Sequence, residues 1–173
     1  TTSIALLLIA VLAPVLGAIA DYTGGKKRYI AAFVALGVLS TVGFVFIGTD
    51  TWLLASLLYI GGNVGLAGAE VFYESLLPTI AQRNDIDQIS TRGYALGYVG
   101  GGILLVINVL WYMKPGWFGM PDAAFALRAS FLSVAVWWAA FTMPLLRRVP
   151  EPPAARDGEV RLNPVRAGFA RLV

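Results

Sequence analysis

Gly17-Ala18-Ile19-Ala20-Asp21-Tyr22-Thr23-Gly24-Gly25-Lys26-Lys27-Arg28 is the stretch on which the fold turns. It is a short charged segment between two apolar blocks, 1–20 and 29–48, neither of which contains a single charge. At about 1.5 Å of rise per residue, a block of ~20 residues spans the ~30 Å hydrocarbon layer of a bilayer. A backbone in hydrocarbon must satisfy its own hydrogen bonds, so each block reads as a helix and the charged stretch as the turn between them.

Working outward, three more apolar blocks follow, at 52–77, 93–113 and 129–146. Thr49-Asp50-Thr51, a polar loop over 82–92, and Lys114-Pro115-Gly116 separate them. The composition agrees: 58% of the 173 residues are hydrophobic, 13% are charged, and the mean hydropathy is +0.73. A soluble domain carries about 25% charge, so most of this chain faces something other than water. The ten-residue alternation of a membrane β-barrel is absent. The fold class is therefore an all-α membrane protein with five transmembrane helices and the lipid bilayer as its solvent. No basic region precedes the opening apolar block, which reads as a span interrupted at its start and not as a signal peptide.

Lys and Arg give the orientation. Lys26, Lys27, Arg28, Arg83, Arg92, Arg147, Arg148 and four arginines of the tail fall on one side, and only Lys114 and Arg128 on the other. The rich side is cytoplasmic. Trp52, Trp111, Tyr112 and Trp117 gather near the opposite boundary, as an aromatic belt does. Beyond Arg148, Pro150, Pro152 and Pro153 open a solvated cytoplasmic linker over 149–173. Val165, Phe169, Leu172 and Val173 recur there at helical spacing, which suits a helix lying on the membrane surface.

Chemistry is limited by what is missing. The chain has no Cys and no His, so it offers no disulfide, no thiolate or imidazole metal site and no histidine base. No Ser stands beside a plausible base, and no strand precedes the glycines at 97–102 as a dinucleotide loop requires. The reading expects no enzyme, no cofactor, no metal and no nucleic acid. The polar residues within spans carry the functional weight. Glu70 and Glu74 are the only acids in a span, and four residues apart they share a helix face. Glu70 lies about 27 Å along the axis from Trp52, near the cytoplasmic end. Pairing with Lys26, Lys27 or Arg28 is the expectation, with proton or substrate work as the alternative. Asn63 and Asn108 lie deeper and need partners across helices or a cavity, as does Tyr73. Gly61 and Gly65, and Gly93, Gly97 and Gly101, form small-residue ridges suited to close helix packing.

The opening stretch has a definite pattern: Gly17, three residues, Asp21, two residues, Gly24, one residue, then Lys26 and Lys27. It resembles the signature of the major facilitator superfamily between the second and third helices. Pro14 to Lys27, Val71-Phe72-Tyr73-Glu74-Ser75-Leu76-Leu77-Pro78, Ser90 to Gly101, and Arg128 to Phe141 resemble, more narrowly, the autophagy-related vacuolar effluxers and their bacterial relatives. Glu74 departs from the Asn or Asp of that pattern. The resemblance implies the second to sixth helices of one six-helix half in a twelve-helix fold, with one helix upstream and six downstream as the remaining partners. It also implies a secondary transporter that moves a small solute, amino acids among them, outward by alternating access, with proton coupling as an option. A membrane scaffold or sensor of the same fold is the alternative. The bacterial inner membrane is the expected location, or the vacuolar membrane in a eukaryote. In that signature Gly17, Asp21, Gly24, Lys26 and Lys27 act at the cytoplasmic gate.

The orientation has a direct test. A reporter fused after Arg148 should read cytoplasmic and one at Pro121 external; the reverse pattern would overturn the assignment.

Overall fold

A computed structural model of the chain describes residues 3–4, 7–10, 25–76 and 85–150. Gly17, Asp21, Gly24 and the tail from residue 151 lie outside the described residues. Four long helices are described: α1 Lys26–Gly43, α2 Trp52–Glu74, α3 Ile86–Met113 and α4 Ala123–Arg148. Among the described residues there is no strand. Each helix is long and apolar enough to cross a membrane, α1 together with the 3-10 turn Phe44–Phe46 that prolongs it. The chain is a multi-pass membrane protein.

The helix ends differ from the apolar blocks. α3 begins at Ile86, inside the loop expected over 82–92, and not at Gly93. α4 begins at Ala123 and not at Ala129. α2 stops at Glu74, short of the expected Leu77, and α1 starts within the basic run at Lys26. Hydropathy measures the hydrocarbon layer, whereas a helix ends where its terminal backbone groups find partners. Asp122 shows this: its Oδ1 accepts from the Phe125 N–H at 2.7 Å and caps α4. Asp87 in the first turn of α3, and Arg147 and Arg148 in the last turn of α4, complement the helix dipoles.

In hydrocarbon, burying one apolar side chain against another releases no water, so helices associate through close packing and a few interhelical hydrogen bonds. The α1–α2 seam is built this way. A Cβ on Gly65 would stand 2.7 Å from both the Gly37 Cα and the Phe33 carbonyl oxygen. Gly61 lies under the Ser40 hydroxyl and Gly68 under the Phe33 ring. Gly37 in turn receives the indole of Trp138 from α4. Towards the start of α1 the seam closes over Ile30, Val34, Ala69, Phe72 and Leu76. There Phe72 stacks on Tyr29 and Phe33, with ring centroids at 5.1 and 5.8 Å. Just past the end of α1, Phe44 of the 3-10 turn stacks on Phe131 of α4 at 5.0 Å.

α3 is attached differently. None of its described residues is buried, and large apolar side chains such as Leu96, Leu105 and Val106 stand more than half exposed. Side chains tie it to α4: the Ser133 hydroxyl donates to Asn108 Oδ1 at 2.9 Å, and Trp137 lies against Gly100.

Two glycines separate the packing requirement from mere composition. Gly65→Val in the full-length protein should cost about 1–3 kcal/mol and lower the thermal midpoint in detergent, because the α1 backbone cannot yield. Gly48→Ala, in the outer turn with open space around it, should change little. Equal effects at the two positions would refute the seam.

Candidate functional site

The end of α2 and the first half of α3 face each other across a gap that side chains fill. Glu70 and Glu74 lie one turn apart on α2 and are exposed. The Tyr94 hydroxyl of α3 reaches both, donating to Glu74 Oε1 at 3.1 Å and Glu70 Oε1 at 3.4 Å. O–H···O bonds are usually near 2.7–2.8 Å, so the Glu74 bond is the firmer and the Glu70 bond loose. Glu70 therefore keeps most of its acceptor capacity.

This is not the pairing expected from sequence. Among the described residues, neither acid forms an ion pair with Lys26, Lys27 or Arg28. The Lys26 ammonium instead donates to the Ser75 carbonyl oxygen at 3.3 Å. Lys26 opens α1 beside the end of α2, where unpaired carbonyls carry the negative pole of the helix, and a cation is favourable there.

Two cavities flank this junction. One, of about 280 Å³, lies among all four helices, with Val34, Trp138, Phe141 and Thr142 among its walls. The other, of about 440 Å³, opens between α2 and α3 past Gly93, Gly97 and Tyr98. Leu66, Glu70, Tyr73 and Tyr94 line both and form the partition. Gly93 faces the Tyr73 hydroxyl, which a Cβ there would meet at 3.5 Å. Glu70 is the only charged side chain among the described residues lining either cavity. Glu74 lines neither; it holds Tyr94.

The remaining candidates scatter. Asn63 turns back on its own helix, its Nδ2 donating to the Tyr59 carbonyl oxygen at 2.8 Å. Asn108 bonds across to Ser133, away from both cavities. Gly61 and Gly65 lie in the α1–α2 seam, whereas Gly97 and Gly101 face open space among the described residues. No group of three His, Cys, Asp or Glu that could hold a metal occurs among the described residues. Sequence reasoning passed over Tyr94 and Phe141. The signal for Tyr94 was its depth, near the start of its span and level with Glu70 and Glu74 near the end of the preceding one.

Comparisons with known proteins agree with the membrane architecture. The family described as vacuole effluxer Atg22 like matches residues 1–88 and 81–173. The chain is 36% identical to the "Uncharacterized MFS-type transporter YxiO" of Bacillus subtilis, over 86% of this chain and 35% of that protein. It is 24% identical to "Autophagy-related protein 22-2" of Aspergillus fumigatus, over 98% of this chain and 39% of that protein. The chain thus spans little more than a third of the length of these curated relatives. No solved structure matches it.

The shared proton of Tyr94 predicts coupling between helices. In a double-mutant cycle on thermal stability, Tyr94→Phe and Glu74→Gln should be non-additive by about 0.5–1.5 kcal/mol, the net worth of one hydrogen bond. Strict additivity would show that the bond does not form.

Proposed function

The chain belongs to the vacuole effluxer Atg22 like family, and on that premise we propose that it is part of a secondary active transporter that moves a small solute by alternating access. The observation that carries this is the pair of cavities divided by Glu70, Tyr73 and Tyr94 within the membrane-spanning helices. A solute path needs polar groups facing a cavity inside the bilayer thickness, and intramembrane carboxylates are retained there for such work. The MFS-type name of the Bacillus relative supports the same reading. The helices described supply one side of the path, and further helices of the full-length protein supply the other.

Amino acids are the solute class we propose, moved outward across a bacterial cell membrane. Each carries an ammonium that can donate to Glu70, while its carboxylate falls to the further helices of the full-length protein, and those with apolar side chains suit the walls around Glu70. Proton coupling belongs to the proposal, because a carboxyl within a span is the kind of group that carries such work. Asp21, with Gly17, Gly24, Lys26 and Lys27, acts at the cytoplasmic gate. An acid there favours the positive pole of a neighbouring helix and biases the balance of inward- and outward-facing states.

Proteoliposomes of the full-length protein test this. They should show solute-dependent flux of radiolabelled amino acids, reduced about tenfold by Asp21→Asn, roughly the effect of 1.4 kcal/mol on the balance of states. The amount of folded variant should be unchanged. Absence of flux for every amino acid would refute the proposed solute class, and unchanged flux in Asp21→Asn would reduce the signature to a topology signal.

A further inference from the structure

We propose that the cavity bounded by Glu70, Tyr73, Tyr94, Trp138 and Phe141 is an ammonium subsite, selecting solutes with a primary ammonium head and an aromatic or aliphatic body and rejecting the corresponding anions. It rests on the transport reading above and narrows it. The first ground is charge. Among the described residues lining the two cavities, Glu70 is the one ionisable group of full charge and no Lys, Arg or His accompanies it. The second is the wall. Four aromatic rings, those of Tyr73, Tyr94, Trp138 and Phe141, surround the same space as Ile30, Val34 and Leu145. Aromatic faces present negative charge density and attract a cation within about 6 Å of the ring centroid. The third is spare hydrogen-bonding capacity. Glu70 receives only the 3.4 Å contact from Tyr94, while Glu74 keeps that hydroxyl by the shorter bond.

Each ligand class fares differently there. A primary ammonium donates to Glu70 while its carbon body covers the Val34 and Phe141 walls. A neutral guest leaves the carboxylate without a counter-charge, and a carboxylate guest sets two like charges together among largely apolar walls. A primary ammonium also suits the site better than a quaternary one, because Glu70 needs an N–H donor. At about 280 Å³ the cavity admits a body the size of one aromatic ring with a short chain.

The experiment compares three probes of one shape on the full-length protein in detergent by calorimetry: phenethylammonium, 2-phenylethanol and 3-phenylpropanoate. The expected order is ammonium first, alcohol weaker, carboxylate without measurable binding. Glu70→Gln should weaken the ammonium about tenfold, the scale of one lost charge-assisted contact. Phe141→Leu should weaken it by a smaller factor while preserving the order. Equal binding of ammonium and alcohol, stronger binding of the carboxylate, or an unchanged affinity in Glu70→Gln would overturn the subsite. The comparison of probes on the unaltered protein decides the matter even if the Glu70 variant fails to fold. Flux of phenethylammonium into proteoliposomes separates the two readings. Selective binding without flux upholds the subsite and removes the transport reading. Flux of other solutes with no ammonium preference upholds transport and removes the subsite.

Discussion

The contact of the Gly65 backbone with Gly37 and Phe33 is the constraint on which the rest depends. In water, burying Phe72 and Leu76 would by itself drive association. In lipid the surroundings are as apolar as those side chains, so that drive is largely absent. What remains is dispersion between surfaces that approach closely, and its strength falls steeply with any gap. A side chain at Gly65 would open such a gap along the whole seam. The glycines permit the approach, Trp138 closes over Gly37 from the other side, and α1, α2 and α4 become one packed unit.

α3 stands outside that unit, and the cavities follow from it. Among the described residues it runs beside α4, with the Asn108–Ser133 bond and Trp137 against Gly100, and meets α2 through the Tyr94 hydroxyl. The Tyr94 hydroxyl reaches further than touching backbones, so α3 stays apart from α2 and space opens between them. Aromatic rings and one carboxylate stand among the aliphatic side chains that wall that space.

Much of this was legible in the residues and some was not. The four spans among the described residues were readable because hydrocarbon demands uninterrupted apolar runs. The helix ends were not, because Asp122 and Asp87 act through capping and the helix dipole, which hydropathy does not register. The ridge at Gly61 and Gly65 and the ridge at Gly93, Gly97 and Gly101 looked alike. Small residues show that a face can be approached, not which neighbour approaches it, and the two ridges ended in different surroundings. Glu70 and Glu74 were identifiable as intramembrane acids. Their partner was not, because a basic loop nearby in sequence offered a stronger charge than a tyrosine on another helix. The geometry reverses that order: the Lys26 ammonium goes to the carbonyl end of α2, and the hydroxyl reaches the acids.

The difference between the two modes of attachment also locates where this part of the molecule can rearrange. Separating α1 from α2 would forfeit dispersion along the entire seam with nothing from lipid to replace its specificity. Releasing Tyr94 from Glu70 and Glu74 exchanges one hydrogen bond for another, with water or an ammonium head as the new partner. The backbone bonds of both helices stay intact, so no buried peptide group is exposed to hydrocarbon in the exchange. A polar junction between rigid, internally satisfied helices is thus the cheapest place in a bilayer to make a change, and the junction at Tyr94 is also the partition between the two cavities. Of the two bonds there, the 3.4 Å contact with Glu70 is the one that yields first, and the 3.1 Å bond to Glu74 keeps α3 tied to α2 while Glu70 changes partner.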